Sequence, residues 1–136
     1  MMDEKTRETF LAETRYACLT TQGSDGTPYT VPVWFEWDGT VVRFFTSISS
    51  PKIRRIRQNP RISLLMVNHL SEREAWVTFT GKATIHTAGG IALAERLAAK
   101  YWDLSDPNKR QTVESWRSAA DNLCVVELVP DSIRTH

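Results

Sequence analysis

Four hydroxyls and an ammonium crowd into one short stretch, Thr46-Ser47-Ile48-Ser49-Ser50-Pro51-Lys52. Ser50 suits the N-cap of a helix and Pro51 its first turn, where a missing N–H costs nothing. Asn59-Pro60 ends that helix, because Pro60 disfavours helical geometry at the residue before it. A helix start exposes unpaired N–H groups and the positive end of a dipole. With Ser47, Ser49, Ser50 and Lys52 around it, this start has the makings of an anion socket of the kind that holds a phosphate. The same residues also read as an ordinary amphipathic helix, with Ile53 and Ile56 inward and the charges of Lys52, Arg54, Arg55 and Arg57 in solvent. The local pattern leaves both readings open.

Elsewhere the chemistry is sparse. No Ser-His-Asp, Cys-His or paired-carboxylate constellation stands out, and there is no CxxC or HExxH spacing for a metal. Glu72 and Glu74 flank Arg73 in what reads as a solvated charge cluster, and His69 and His86 stand alone as ordinary polar residues. Without an acid–base team hydrolysis is disfavoured, and an enzyme built this way leaves its chemistry to a cofactor. Of five tryptophans, Trp34 and Trp76 fall in strands, where an indole face either stacks on a flat heterocycle or packs in a core.

The elements around these residues are mostly strands. Ala17 to Gln22 is a first strand, and Asp25-Gly26 a hairpin turn. Tyr29 to Trp37 alternates, with Tyr29, Val31, Val33, Phe35 and Trp37 on one face. Pro32 lacks an N–H, so that strand is expected at an edge, with free backbone groups near Val33 and Trp34 open to a planar ligand or simply shielded against aggregation. Val41 to Thr46 is the next strand and runs into the hydroxyl-rich turn. Ile62 to Val67 is nearly all apolar, and Ala75 to Thr87 is long, with Gly81 marking a bulge or barrel corner. Helices are expected over 3–12, 91–102 and after Asp106-Pro107, with Leu123 to Val129 as the last strand. Six strands with short helices at the connections predict a mainly β, antiparallel, six-stranded small barrel.

Composition agrees with one globular domain over residues 1–136, at 41% hydrophobic and 24% charged. A net charge of +1 gives no general field for nucleic acid, and Ile53 and Ile56 on the basic helix argue against it locally. No apolar run is long enough to span a bilayer or resembles a signal peptide, so a cytoplasmic protein without membrane partners is expected. Cys18 and Cys124 fit buried small hydrophobes better than a disulfide.

Three segments in order carry a resemblance: ACLTTQGSDGTPYTVPVWF, FFTSISSPKIRRIRQNPRISLLM and EAWVTFTGKATI. Over roughly residues 8 to 102 the chain resembles the pyridoxamine 5′-phosphate oxidase-like family, the FMN-binding split β-barrels. The resemblance implies a homodimer with FMN in clefts across the interface. It implies that Lys52, Ser47, Ser50 and Thr46 hold the flavin phosphate, that Val33, Trp34 and Phe35 lie along the ring, and that Trp76 reaches the flavin, with either subunit as its source.

Departures from the family pattern narrow the reaction. The name-giving enzymes carry arginine, lysine and arginine where this chain has Val31, Glu36 and Pro51, three cations fewer for two phosphorylated molecules. The terminal Arg134-Thr135-His136 is similar to their substrate-binding Arg-x-His but is expected after the last strand, out of context. The resemblance therefore implies hydride transfer to or from another small molecule rather than pyridoxamine phosphate oxidation. Shorter relatives use FMN or the deazaflavin coenzyme F-420, whose acidic tail would call on Arg54, Arg55 and Arg57. A non-enzymatic flavin or haem carrier on the same barrel is the other alternative, with His69 or His86 as haem ligand.

Overall fold

Alternating apolar and polar residues assemble into an eight-stranded antiparallel sheet in the computed structural model, which describes residues 1–136. The strands are β1 (Ala17–Gln22), β2 (Pro28–Val33), β3 (Glu36–Trp37), β4 (Val42–Ser47), β5 (Arg61–Val67), β6 (Trp76–His86), β7 (Leu123–Leu128) and β8 (Ser132–Thr135). Four helices join them: α1 (Glu4–Ala12), α2 (Pro51–Gln58), α3 (Gly90–Tyr101) and α4 (Pro107–Ser118). No helix is long and apolar enough to cross a membrane.

The hydrogen-bonded order is β2-β1-β5-β6-β7-β4-β3, with β8 alongside β6. The two ends of this order, β2 and β3, are consecutive in the chain. Trp34 and Phe35 between them carry the backbone from one sheet edge to the other, and the sheet curls into a split barrel.

The single strand expected from Tyr29 to Trp37 is thus two. Its first half pairs only with β1, so Pro32 does stand on an edge strand. At the break the Phe35 N–H donates to Tyr101 Oη at 3.3 Å instead of to a strand. The second correction lies at the C-terminus. Ser132–Thr135 forms β8 against Val77–Thr80, and the Asp131 N–H donating to Thr80 O (2.9 Å) leads into it. Arg134 and Thr135 therefore belong to the last strand rather than following it, and His136 stacks on Trp76 with 6.1 Å between ring centroids. Four residues with few strong β-formers carry too little local signal to announce a strand.

Gly81 is the corner expected of it. Before it β6 pairs with β8, after it with β7, and a Cβ there would lie 2.9 Å from Leu128 Cδ1 and 3.1 Å from Val129 O. Inside the curl, Leu19, Phe44, Leu64, Phe79 and Val126 form the core, with Phe35 fully buried among them. Helix α2 closes one side by burying Ile53 and Ile56, while Arg54 and Arg57 stay exposed.

Glu72 differs from its sequence reading. It accepts two hydrogen bonds from the Arg15 guanidinium, at 2.7 and 2.8 Å, and Arg15 is only 2% exposed. These bonds and the His69 N–H hold the Glu72 carboxyl down to about 2. The pair ties the loop before β6 to the segment before β1, and Arg15 Nε donates to Phe10 O at 3.0 Å. Cys18 and Cys124 are free thiols, the second buried.

Candidate functional site

Helix α2 begins where the sequence places it, with Ser50 in extended N-cap geometry and Pro51 in the first turn. The Ser50 hydroxyl does not cap the helix; it accepts from Thr46 Oγ1 at 3.3 Å. Pro51 has no N–H, and the Ile53 and Arg54 N–H groups both turn back to Ser50 O. No acceptor within the chain takes the Lys52 N–H, so one backbone donor at this helix start remains free.

Lys52 also borders a cavity of about 290 Å³. Pro32, Val33 and Trp34 wall it from the β2 edge, Phe45 and Thr46 from β4, and Lys52 from the first turn of α2. Tyr16, Trp102 and Trp116 complete it. Lys52 is the only lining residue that carries a charge at neutral pH. Burial, and secondarily the Arg55 guanidinium, push its ammonium below the usual lysine range, and no carboxylate offsets them. An unpaired, partly desolvated cation beside a free N–H is a receptor for an anion.

The aromatic walls are ordered by one another. Trp34 stacks on Tyr101 of α3 at 4.9 Å and 13°, and meets Trp102 edge-on at 4.8 Å and 89°. Trp102 and Trp116 run near-parallel, 5.6 Å and 25° apart, and Phe45 tilts against Trp116 at 5.4 Å. Behind them α3 lies tight on β7: a Cβ on Gly90 would fall 2.8 Å from the Leu123 backbone.

Of the eight residues proposed from sequence, the structure brings Val33, Trp34, Thr46 and Lys52 to this cavity. Ser50 is one hydrogen bond from it through Thr46. Ser47 turns aside, donating to Asn122 Oδ1 at 3.1 Å and bonding Ser49 Oγ at 3.0 Å. The Phe35 side chain belongs to the core, so only its backbone borders the strand break. Trp76 starts β6, three strands across the sheet from β2, opposite Val67 and against His136, and does not line the cavity of its own chain.

Sequence reasoning missed Tyr16, Phe45, Trp102 and Trp116. Their aromatic character was visible, but nothing local tied positions 102 and 116 to a strand edge near 34. Neither histidine joins them: the His69 ring contacts Thr14 O at 3.2 Å, and His86 lies 3.7 Å from Glu127.

Residues 2–135 match the family described as pyridoxamine 5′-phosphate oxidase. Among solved structures the chain is similar to an F420 reductase, with a TM-score of 0.75 and 24% identity over 93% of this chain and 94% of that one. It is similar to a conserved hypothetical protein from Mycobacterium tuberculosis, with a TM-score of 0.73 and 25% identity over 99% and 84% of the two chains. The haem storage protein HutZ from Vibrio cholerae shares the fold at a TM-score of 0.72, with 15% identity over 100% and 94%. No curated protein matches in sequence.

Proposed function

The chain belongs to the pyridoxamine 5′-phosphate oxidase family, and on that premise we propose that it is a flavin-dependent oxidoreductase whose cofactor is FMN. The observation that carries the reading is Lys52, a partly buried ammonium without a carboxylate partner, facing an aromatic cavity from a helix start. A phosphate there offsets the cost of burying the charge and takes up the free Lys52 N–H. Thr46 Oγ1 and the Ser50 hydroxyl it now bonds stand in the same turn to complete its shell, whereas Ser47 would first have to leave Asn122. Val33 and Trp34, on a strand edge without an outer neighbour, offer backbone groups and an indole to a flat ring.

FMN supplies the hydride chemistry when bound; the protein anchors the phosphate, orients the ring and excludes water with its aromatic walls. No carboxylate or histidine lines the cavity to move a proton. Pyridoxamine phosphate oxidation fits poorly. Val31 and Pro51 bring no charge, and Glu36 is an acid held by Arg96 at 2.9 and 3.1 Å, so a second phosphate finds no cation there.

The functional unit in this reading is a homodimer. Leu65 and Val67 are 36% and 46% exposed on the outer face of β5, beside Cys18 and Trp76 on neighbouring strands. A second copy covering that apolar face would bring its Trp76 toward the cavity of the first.

A deazaflavin is the second reading, favoured by one observation. Arg54 and Arg55 line a separate polar cavity of about 350 Å³, with Ser24, Asp25 and Tyr29. An acidic tail would run there from the Lys52 socket. The haem reading loses its two histidine candidates at the aromatic cavity, because neither His69 nor His86 lines it.

The test is incubation of purified protein with FMN, read by absorbance and thermal shift. A yellow protein with raised Tm is expected. A colourless protein with unchanged Tm overturns the FMN assignment, and mass spectrometry of the small molecule that co-purifies separates FMN from deazaflavin.

A further inference from the structure

We propose that Leu70, at the tip of the loop between β5 and β6, is the anchor by which each copy of the chain docks on the partner's Tyr16. The proposal rests on the homodimer reading above, and its occupant is a second copy of this chain. Leu70 is fully exposed, yet its loop is tightly built. Leu70 and Ser71 are the centre of a β-turn closed by the Glu72 N–H on His69 O at 3.0 Å. The His69 N–H donates back to Glu72 Oε1 at 2.8 Å. Asn68 clamps the base, its Nδ2 donating to His69 O (2.8 Å) and its Oδ1 accepting the Ala75 N–H (3.1 Å). Glu72 then fastens the turn to buried Arg15. A leucine held out in water by such a brace is a preformed knob, which loses little conformational freedom when a surface covers it.

Its receptor is held by the same arginine. Tyr16 follows Arg15 in the chain, is 60% exposed, tilts against Tyr101 at 6.1 Å and walls the aromatic cavity. Tyr101 in turn donates to Arg15 O. Knob and receptor are thus fixed relative to each other on one body, as an isologous contact requires, because each copy must present both.

Strand order decides where they meet. The outer face runs β2-β1-β5-β6. For Trp76 on β6 to reach a partner's cavity at the β2 edge, the two-fold axis must run along the strands, laying β6 of one copy over β1 and β2 of the other. Such an axis preserves position along the strands. Tyr16, Val67 and Trp76 stand at one end of the face, since Ala17 pairs with Met66 and Val67 with Trp76. The loop that leaves β5 at that end therefore arrives at the partner's Tyr16, where Leu70 adds an apolar cap to the wall of the partner's cavity.

Crosslinking of the full chain tests the contact. One chain carries Leu70→Cys and a second Tyr16→Cys, both with Cys18→Ala, and the two are mixed, left to exchange and treated with oxidised glutathione. The mixture should give a disulfide-linked dimer, and neither chain alone should. In sedimentation, Leu70→Ser should raise the dimer dissociation constant by about a hundred-fold, roughly ten-fold for each of two anchors, while Leu70→Met stays within about three-fold. Unfolding of the dilute monomer should not move, because Leu70 packs on nothing in its own chain. A mixture that sediments as dimers without forming the crosslink overturns the contact and leaves the dimer standing, as does an unchanged dissociation constant in Leu70→Ser. An unmodified chain that sediments as a monomer overturns the dimer and the contact with it, and FMN titration of the same sample reads the cofactor assignment separately.

Discussion

The Trp34 indole lies nearly parallel to the Tyr101 ring, 13° off with 4.9 Å between centroids, so the break between β2 and β3 is stacked on the last turn of α3. Tyr101 Oη also accepts the Phe35 N–H at 3.3 Å and donates to Arg15 O. One side chain thus replaces the strand partner that the crossing backbone has left behind. Tyr101→Phe keeps the stack and removes both hydrogen bonds. Urea unfolding should show a loss of about 1–3 kcal/mol, the cost of leaving such groups unpaired. FMN affinity should fall as well, because Trp34 loses its fixed backbone.

Lys52→Met should lower FMN affinity by roughly ten- to a hundred-fold, the range for a charge-assisted contact. Flavin fluorescence titration measures it. The cofactor-free variant should be as stable as the original or more so, since an ammonium destabilised by burial is replaced by an apolar chain of similar length. A site residue and a structural residue part company here: Ile53→Ala, one position away and fully buried, should cost about 2–5 kcal/mol.

Acid should weaken the fold through Glu72. Its carboxyl is lowered from 4.5 to about 2 in the fold, so the unfolded chain takes up the proton first. The contribution of the Arg15 pair is complete above the ordinary carboxylate range and is lost as pH falls through it toward about 2. Tm measured against pH should show this slope, and Glu72→Gln should flatten it while lowering Tm at neutral pH by leaving buried Arg15 short of its main partner.

Gly90→Ala should disturb site and stability together. The added methyl meets Leu123 at 2.8 Å, where backbone cannot yield, so α3 must lift from β7 at a cost of about 1–3 kcal/mol. Tyr101 and Trp102 ride at the other end of that helix. Chemical denaturation and FMN titration should both register the change, whereas Gly26→Ala, in a hairpin turn at a φ of 84° with nothing near, should cost stability alone.

Val67→Glu places a charge on the exposed apolar face of β5. If that face joins the two copies of the proposed homodimer, sedimentation should show the variant as a monomer and the unmodified chain as a dimer. FMN binding should weaken with it, because the partner's Trp76 is withdrawn. A variant that stays dimeric with full FMN affinity would remove that face from the interface.

Much of the molecule was legible from neighbours in the chain. Asp3, Ser50-Pro51 and Asp106-Pro107 marked helix starts, and the structure has helices at each. Alternation marked most strands, Pro32 an edge and Gly81 a corner, because these signals depend on relations two to four residues apart. The Lys52 turn was visible for the same reason. The cavity that Lys52 borders was not. It needs the sheet to curl so that β2 and β4 face one space, and α3–α4 to return and set Trp102 and Trp116, 68 and 82 residues on, against Trp34. Arg15 and Glu72, 57 residues apart, and β8 against β6 are of the same kind. Sequence by itself determined the local elements and the cation at a helix start. Tertiary structure decided what surrounds that cation, since burial and ring stacking are properties of segments that meet only after the chain has folded.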